Sequence, residues 1–184
     1  MTEEIIIAGF GGQGVLSMGK ILAYSGVMEN KEVSWMPSYG PEMRGGTANV
    51  IVIISDERIS SPIVNYFDTA IILNQQSMDK FEKTVKPGGV LIYDPNGITR
   101  HPERRDINIY TIEAADEASK VGLSKVFNMV VLGGFLKLKP IVQPEYVHKG
   151  LEKSLPRRHH ALIPENEKAI QKGKEIIKAM HLLN

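Results

Sequence analysis

The sequence predicts an α/β fold, a Rossmann-like three-layer domain on a mostly parallel sheet. Three observations predict it. Short apolar runs alternate along the chain with stretches of helical period. Several of those runs, Ile5 to Ala8 above all, are continuously apolar and rich in β-branched residues, as strands buried on both faces are. The first run also passes through a cluster of glycines directly into a helix. At roughly 100 to 200 residues per domain, a chain of 184 residues is expected to be one domain, 1–184, with a basic helical C-terminal part from about 141.

Ile5 to Ala8, ended by glycine, is the central first strand. From Val15 to Met28 the apolar positions Val15, Leu16, Ile21, Leu22, Val27 and Met28 recur at helical spacing. Val33 to Met36 is a second strand. The segment Pro37 to Thr47 is too polar and broken to be core, and Ala48 to Ile54 is a third strand. Thr69 to Leu73 and Val90 to Tyr93 follow as strands around a helix over Gln75 to Val85, which Lys86-Pro87-Gly88-Gly89 stops. Ile107 to Ile112 is a strand, Ala114 to Val121 a short helix, and Lys125 to Leu138 a long apolar one. Beyond Pro140, Glu145 to Ser154 and Glu165 to Leu183 are helical, joined by Leu155-Pro156-Arg157-Arg158-His159-His160. In the last helix Ile170, Ile176, Ile177 and Met180 are placed for packing, and Lys168, Lys172, Lys174 and Lys178 form a solvated face.

Composition excludes several function classes. The formal charge is +1, so no global field calls for nucleic acid or an anionic membrane. The basic excess is local: residues 137–184 hold 10 basic and 5 acidic residues and four of the five histidines. With no cysteine, the chain has no disulfide, thiol nucleophile or thiolate zinc site, and any iron–sulfur cluster must belong to a partner. Met-Thr-Glu-Glu opens the sequence with neither a signal peptide nor a transmembrane run, so a cytoplasmic location is expected.

Gly9-Phe10-Gly11-Gly12-Gln13-Gly14 fits GxGxxG between a strand and a helix. Glycines let the backbone turn tightly and approach a ligand, and the free N–H groups and dipole of the helix start favour a phosphate or pyrophosphate. The other reading is that these glycines only allow close strand–helix packing. Dinucleotide enzymes add an acid at the end of the second strand, about 20 residues on; here that place holds Trp35-Met36-Pro37, so NAD is disfavoured. Lys20 is not in Walker register either.

Ser38-Tyr39-Gly40-Pro41-Glu42-Met43-Arg44-Gly45-Gly46-Thr47-Ala48-Asn49 is a second constellation. In an open α/β sheet ligands sit at the carboxyl ends of strands, so this segment and the glycine loop are expected to face one site. Arg44 offers a planar, permanently charged fork, Gly45 and Gly46 permit close backbone approach, and Ser38 and Thr47 supply hydroxyls. A surface pair of Arg44 with Glu42 beside a Gly-Gly turn explains the same residues. Elsewhere, His159-His160 reads as a solvated loop at a subunit interface rather than a metal site, because adjacent histidines diverge. Asp94 and Glu113 are general-base candidates or helix caps. Met36 and Met43 fit an apolar wall or a partner contact, and Trp35 is expected in the core.

Together the two loops resemble the gamma subunit of the 2-oxoacid:ferredoxin oxidoreductases, which handle pyruvate, 2-oxoglutarate and branched-chain 2-oxoacids. The resemblance rests on Ala8 to Gly14, Ser38 to Ala48 and Asn128-Met129-Val130-Val131-Leu132-Gly133-Gly134, and spans nearly the whole chain. It implies a fold similar to the gamma domain of pyruvate:ferredoxin oxidoreductase. It also implies part of an enzyme that decarboxylates a 2-oxoacid on thiamine diphosphate with Mg2+, passes electrons through [4Fe-4S] clusters to ferredoxin, and transfers the acyl group to coenzyme A. The partners implied are alpha, beta and ferredoxin-like delta subunits, which carry the thiamine and the clusters. The chain lacks cysteine and a GDG followed by Asn-Asn, in keeping with that division. An isolated chain, expected to be inactive, has a bare partner surface that suits self-association.

The resemblance assigns no catalytic residue to this chain. It implies coenzyme A phosphates at Gly11, Gly12, Gln13 and Gly14, beside Gly9, with Arg44 and Thr47 near the route of the thiol end among Ser38, Gly45 and Gly46. It also implies that this domain covers the thiamine site. Tyr39-Gly40-Pro41-Glu42 differs from the run before Arg-Gly-Gly in the related indolepyruvate enzymes, and 2-oxoglutarate is favoured as substrate. The competing readings are a stand-alone Rossmann-like nucleotide-binding regulatory module and a free-standing oxidoreductase.

Overall fold

A computed structural model describes residues 1–39 and 46–180. In chain order the elements are β1 (Thr2–Phe10), α1 (Val15–Met28), β2 (Glu32–Tyr39), β3 (Thr47–Ser55), β4 (Phe67–Ile72), α2 (Gln75–Phe81), β5 (Val85–Tyr93), β6 (Asn108–Thr111), α3 (Ala114–Lys120), α4 (Phe127–Leu138), α5 (Pro144–Ser154), α6 (Ile163–Ile176) and β7 (Lys178–Ala179).

These strands form one seven-stranded sheet in the order β2-β3-β1-β4-β5-β6-β7. Strands β1, β4, β5 and β6 pair in parallel, while β3 and β7 run against their neighbours. Because β2 is antiparallel to β3, it points the same way as β1, so β1, β2, β4, β5 and β6 share one direction. The sheet is therefore mixed and largely parallel. Its exposed edge strand β2 contains Pro37, a residue that edge strands tolerate and central strands do not.

β1 is buried on both faces, which its unbroken Ile5-Ile6-Ile7-Ala8 requires. Ile5 and Ile7, with Val50, Val52, Ile71 and Ile92, pack under α1, α4, α5 and α6. Ile6 and Ala8, with Ile72, Leu91 and Tyr93, pack under Met78 and Phe81 of α2. Each fully buried isoleucine stabilises the fold by about 1.5–3 kcal/mol. Helix α4 is apolar all round because it is buried from Asn128 to Leu136. It meets α6 backbone to backbone: a Cβ on Gly133 would strike the Ile170 carbonyl, and one on Gly173 the Val130 carbonyl.

Four expectations change. The helix begun at Gln75 ends at Phe81, a 3-10 turn fills Glu82–Thr84, and Lys86-Pro87-Gly88-Gly89 lies within β5, beside a register shift between Phe67 and Thr69. The second strand runs on through Pro37 and Ser38, so Ser38 is a strand residue opposite Asn49 rather than part of a loop. Trp35, expected in the core, is 36% exposed on that edge strand. The last helix stops at Ile176 instead of Leu183. Lys178 and Ala179 instead pair with Thr111 and Tyr110, Met180 N–H donates to the Ile109 carbonyl at 2.8 Å, and the Tyr93 hydroxyl reaches Met180 Sδ at 3.2 Å. Pairing the outer side of β6 outweighs the local helical period; residues 181–184 lie outside the described residues.

Candidate functional site

β1 delivers the chain to the carboxyl edge of the sheet between β3 and β4. The strands on its two sides are reached by connections that leave in opposite directions, the switch point where open α/β sheets bind ligands. Here the chain turns through Gly11 to Gly14 into α1. Gly12 and Gly14 have φ of +95° and +72°, a region that favours glycine.

The six residues of the loop divide by what they touch. A Cβ on Gly9 would lie 2.9 Å from Leu73 Cβ and 3.1 Å from Val15 Cγ2, so Gly9 is glycine for close strand–helix packing. Gly12 is exposed, and no atom of the described residues lies within 4 Å of the place a Cβ would take, which suits the approach of a ligand to its backbone. Gln13 braces the loop: its Oε1 accepts from Phe10 N–H at 2.6 Å, and its Nε2 donates to the Leu73 carbonyl at 3.2 Å, linking the ends of β1 and β4. The N–H groups of Gly12 and Gly14 have no acceptor among the described residues. With the unshared N–H groups of the first turn of α1, they make a donor array at a helix start, suited to an anion.

Of the second segment, Gly46 and Thr47 lie beside this loop. Gly11 N–H donates to the Gly46 carbonyl at 2.9 Å, and Thr47 stands opposite Phe10 across the β1–β3 pair. Thr47 and Ser38 are exposed and lie on the face of the sheet opposite α1, Thr47 beside Phe10 and Ser38 one strand further out, opposite Asn49. Met43, Arg44 and Gly45 lie outside the described residues. The Gly11 bond consumes one N–H that the sequence reading offers to a ligand, and Gln13 N–H is taken by the Phe10 carbonyl at 3.2 Å.

Three polar residues at this edge carry roles that sequence reasoning missed or left open. Asn128, in the first turn of α4, is 9% exposed and donates from Nδ2 to the Gly14 carbonyl at 3.2 Å. Its motif is legible in the sequence, but a contact across 114 residues is not. Asn74 caps α2 through Ser77 N–H at 2.8 Å and is wholly buried, with Nδ2 lacking a partner among the described residues. Asp94 resolves toward the cap reading: it accepts Asn96 N–H and Ala115 N–H, each at 3.0 Å. Burial pushes its carboxyl up from the ordinary value while those N–H groups pull it back.

The remaining candidates do not gather here. His160 sits in a 3-10 turn with Nε2 3.0 Å from the Leu155 carbonyl. Among the described residues no group of three or more His, Asp or Glu could hold a metal ion. Nor is any described helix long and apolar enough to cross a membrane.

The model of the pyruvate ferredoxin/flavodoxin oxidoreductase family matches residues 4–176. Ketoisovalerate oxidoreductase subunit VorA of Methanothermobacter thermautotrophicus is 43% identical over 135 residues, covering 73% of this chain but only 28% of that protein. The 2-oxoglutarate synthase subunit KorC of Methanocaldococcus jannaschii is 37% identical, over 98% of this chain and 96% of its own. Among solved structures, a keto/oxoacid ferredoxin oxidoreductase gamma subunit from Geobacter sulfurreducens superposes with a TM-score of 0.82 at 31% identity, covering 96% of both chains. The 2-oxoglutarate:ferredoxin oxidoreductase of Magnetococcus marinus, solved with 2-oxoglutarate, coenzyme A and succinyl-CoA bound, shares the fold with a TM-score of 0.84 at 24% identity. This chain covers 95% of itself and 31% of that one.

Proposed function

From the premise that this chain belongs to the pyruvate ferredoxin/flavodoxin oxidoreductase family, as a gamma subunit of a 2-oxoacid:ferredoxin oxidoreductase, we propose that it works on coenzyme A in a complex acting on 2-oxoglutarate. The substrate assignment leans on the end-to-end likeness to KorC. In this reading the complex oxidatively decarboxylates 2-oxoglutarate to its acyl-CoA and passes two electrons to ferredoxin.

With no cysteine, this chain cannot itself hold a [4Fe-4S] cluster, and in this reading thiamine diphosphate and Mg2+ are likewise carried elsewhere. They belong to alpha, beta and ferredoxin-like delta partners, and this chain contributes binding and cover. The carrying observation is the exposed backbone of Gly12, free of contact with the described residues at its Cβ position, at the uncapped start of α1, braced by Gln13 and tied through Gly11 to Gly46. A diphosphate is the natural occupant, because its charge meets the positive helix end and its oxygens accept the unshared N–H groups. Gly9, Gln13 and Gly14 hold the loop in that shape, and Ser38, Arg44, Gly45, Gly46 and Thr47 are assigned to binding the thiol arm.

Coenzyme A kinetics of the assembled complex test this. Arg44→Ala and Gly12→Ala are each expected to raise the KM for coenzyme A several-fold, about 1 kcal/mol of lost binding, with the KM for the 2-oxoacid unmoved. Unchanged coenzyme A kinetics in both variants would remove the glycine loop from the site.

A further inference from the structure

We propose that Asn128 is a positioning residue for the anion site, holding the glycine loop in its binding shape from the first turn of α4. The inference rests on the coenzyme A reading above and names a residue outside the two loops that carry it.

Three observations converge on this side chain. Asn128 Nδ2 donates to the Gly14 carbonyl at 3.2 Å, while Oδ1 has no partner among the described residues. The same side chain fills the space beside Gly14: a Cβ there would lie 2.7 Å from Asn128 Cγ and 3.1 Å from its Cβ, with Nδ2 nearer still. Gly14 is itself the N-cap of α1, at φ +72° and ψ 21°. Asn128 thus fixes the residue whose N–H, with those just after it, opens toward the anion.

The electrostatic setting is equally specific. Helices α1 and α4, of 14 and 12 residues, have neither a side-chain cap nor an acidic residue in the first turn. By contrast α3, α5 and α6 carry acids there, and α2 is capped by Asn74. The two uncompensated helix starts meet at the Asn128–Gly14 contact. A neutral amide joins them without cancelling the positive field, whereas a carboxylate in its place would neutralise that field and repel the Gly14 carbonyl.

Complexes carrying Asn128→Asp, Asn128→Ser and Gly12→Ala should be assayed for KM toward coenzyme A, KM toward 2-oxoglutarate, kcat at saturating coenzyme A, and thermal midpoint. Asn128→Asp, nearly isosteric, is expected to raise the coenzyme A KM about tenfold or more, as one misplaced charge beside a diphosphate should. Asn128→Ser, which keeps a hydroxyl and adds no charge, is expected to raise it about threefold. In both variants kcat and the KM for 2-oxoglutarate stay within about twofold of the parent. If both Asn128 variants lower the thermal midpoint but leave the coenzyme A KM alone, the side chain only packs and the proposal is overturned. If Gly12→Ala moves that KM and the Asn128 variants do not, the glycine-loop reading survives and the Asn128 role fails. If no variant moves it, both fall. Should Asn128→Asp not assemble, Asn128→Ser decides alone by the same split.

Discussion

Replacing Gly14 by alanine should destabilise the chain far more than replacing Gly12, although both have positive φ. A left-handed non-glycine residue costs about 1–2 kcal/mol, and Gly12→Ala meets only that from the described residues, none of which lies within 4 Å of its new methyl. At Gly14 the methyl would also sit 2.7 Å from Asn128 Cγ. Overpacking of that kind adds about 1–3 kcal/mol, for a total of about 2–5 kcal/mol. Removing the obstacle should recover the difference: in the double variant Gly14→Ala/Asn128→Ala the two changes should couple favourably by about 1–3 kcal/mol. Urea unfolding of the parent, the three single variants Gly12→Ala, Gly14→Ala and Asn128→Ala, and the double variant, at one fixed protein concentration, reads both quantities, because the slopes should agree and the midpoints differ. Equal destabilisation at Gly12 and Gly14, or strict additivity in the cycle, would contradict the contact on which the shape of the loop depends.

Other consequences follow from particular bonds. Asp94→Ala removes the acceptor of Asn96 N–H and Ala115 N–H and is expected to cost about 1–3 kcal/mol in denaturant melts; an unchanged midpoint would exclude the cap role. Gln13→Glu keeps an acceptor for Phe10 N–H but sets a carboxylate against the Leu73 carbonyl, costing about 1–3 kcal/mol by the same measurement, and a variant as stable as its parent would deny the brace. His148 joins α5 to α6 through Glu167 at 2.6 Å, and that bond raises its pKa above the ordinary 6.5. The stabilisation is full below that ordinary value and is lost as pH rises through the raised one. Thermal midpoints taken from about pH 5.5 to about 8.5 should therefore fall less steeply in His148→Ala than in the parent; parallel curves would show that the pair contributes nothing.

The start of the sheet was legible because Ile5 to Ala8 and the glycines constrain it from both sides: only a doubly buried strand tolerates the first, and only a tight turn needs the second. Strand direction was less legible. Period-2 and buried-run patterns do not distinguish parallel from antiparallel, so the antiparallel β2–β3 pair emerges only from tertiary pairing. Pro37 misled at the same place, since a strand edge accepts a proline that a central strand would not. The end of α6 failed for a different reason: Ile177 and Met180 fit a helical period, but pairing with β6 and the Tyr93 contact captured the chain. In the site, glycine spacing marked the loop but not the separate tasks of its glycines, because Leu73 and Asn128 approach from distant sequence.

Capture of the tagged chain from its native cell extract, followed by coenzyme A-dependent viologen reduction with 2-oxoglutarate, pyruvate and 2-oxoisovalerate in turn, bears on the whole reading at once. Recovery of thiamine- and cluster-bearing chains with reduction supported chiefly by 2-oxoglutarate, and only when coenzyme A is present, is the expected result. A solitary chain that binds a mononucleotide and supports no reduction would contradict it and favour the regulatory nucleotide-binding module. Activity with pyruvate or 2-oxoisovalerate instead would keep the gamma-subunit assignment and overturn the choice of acid.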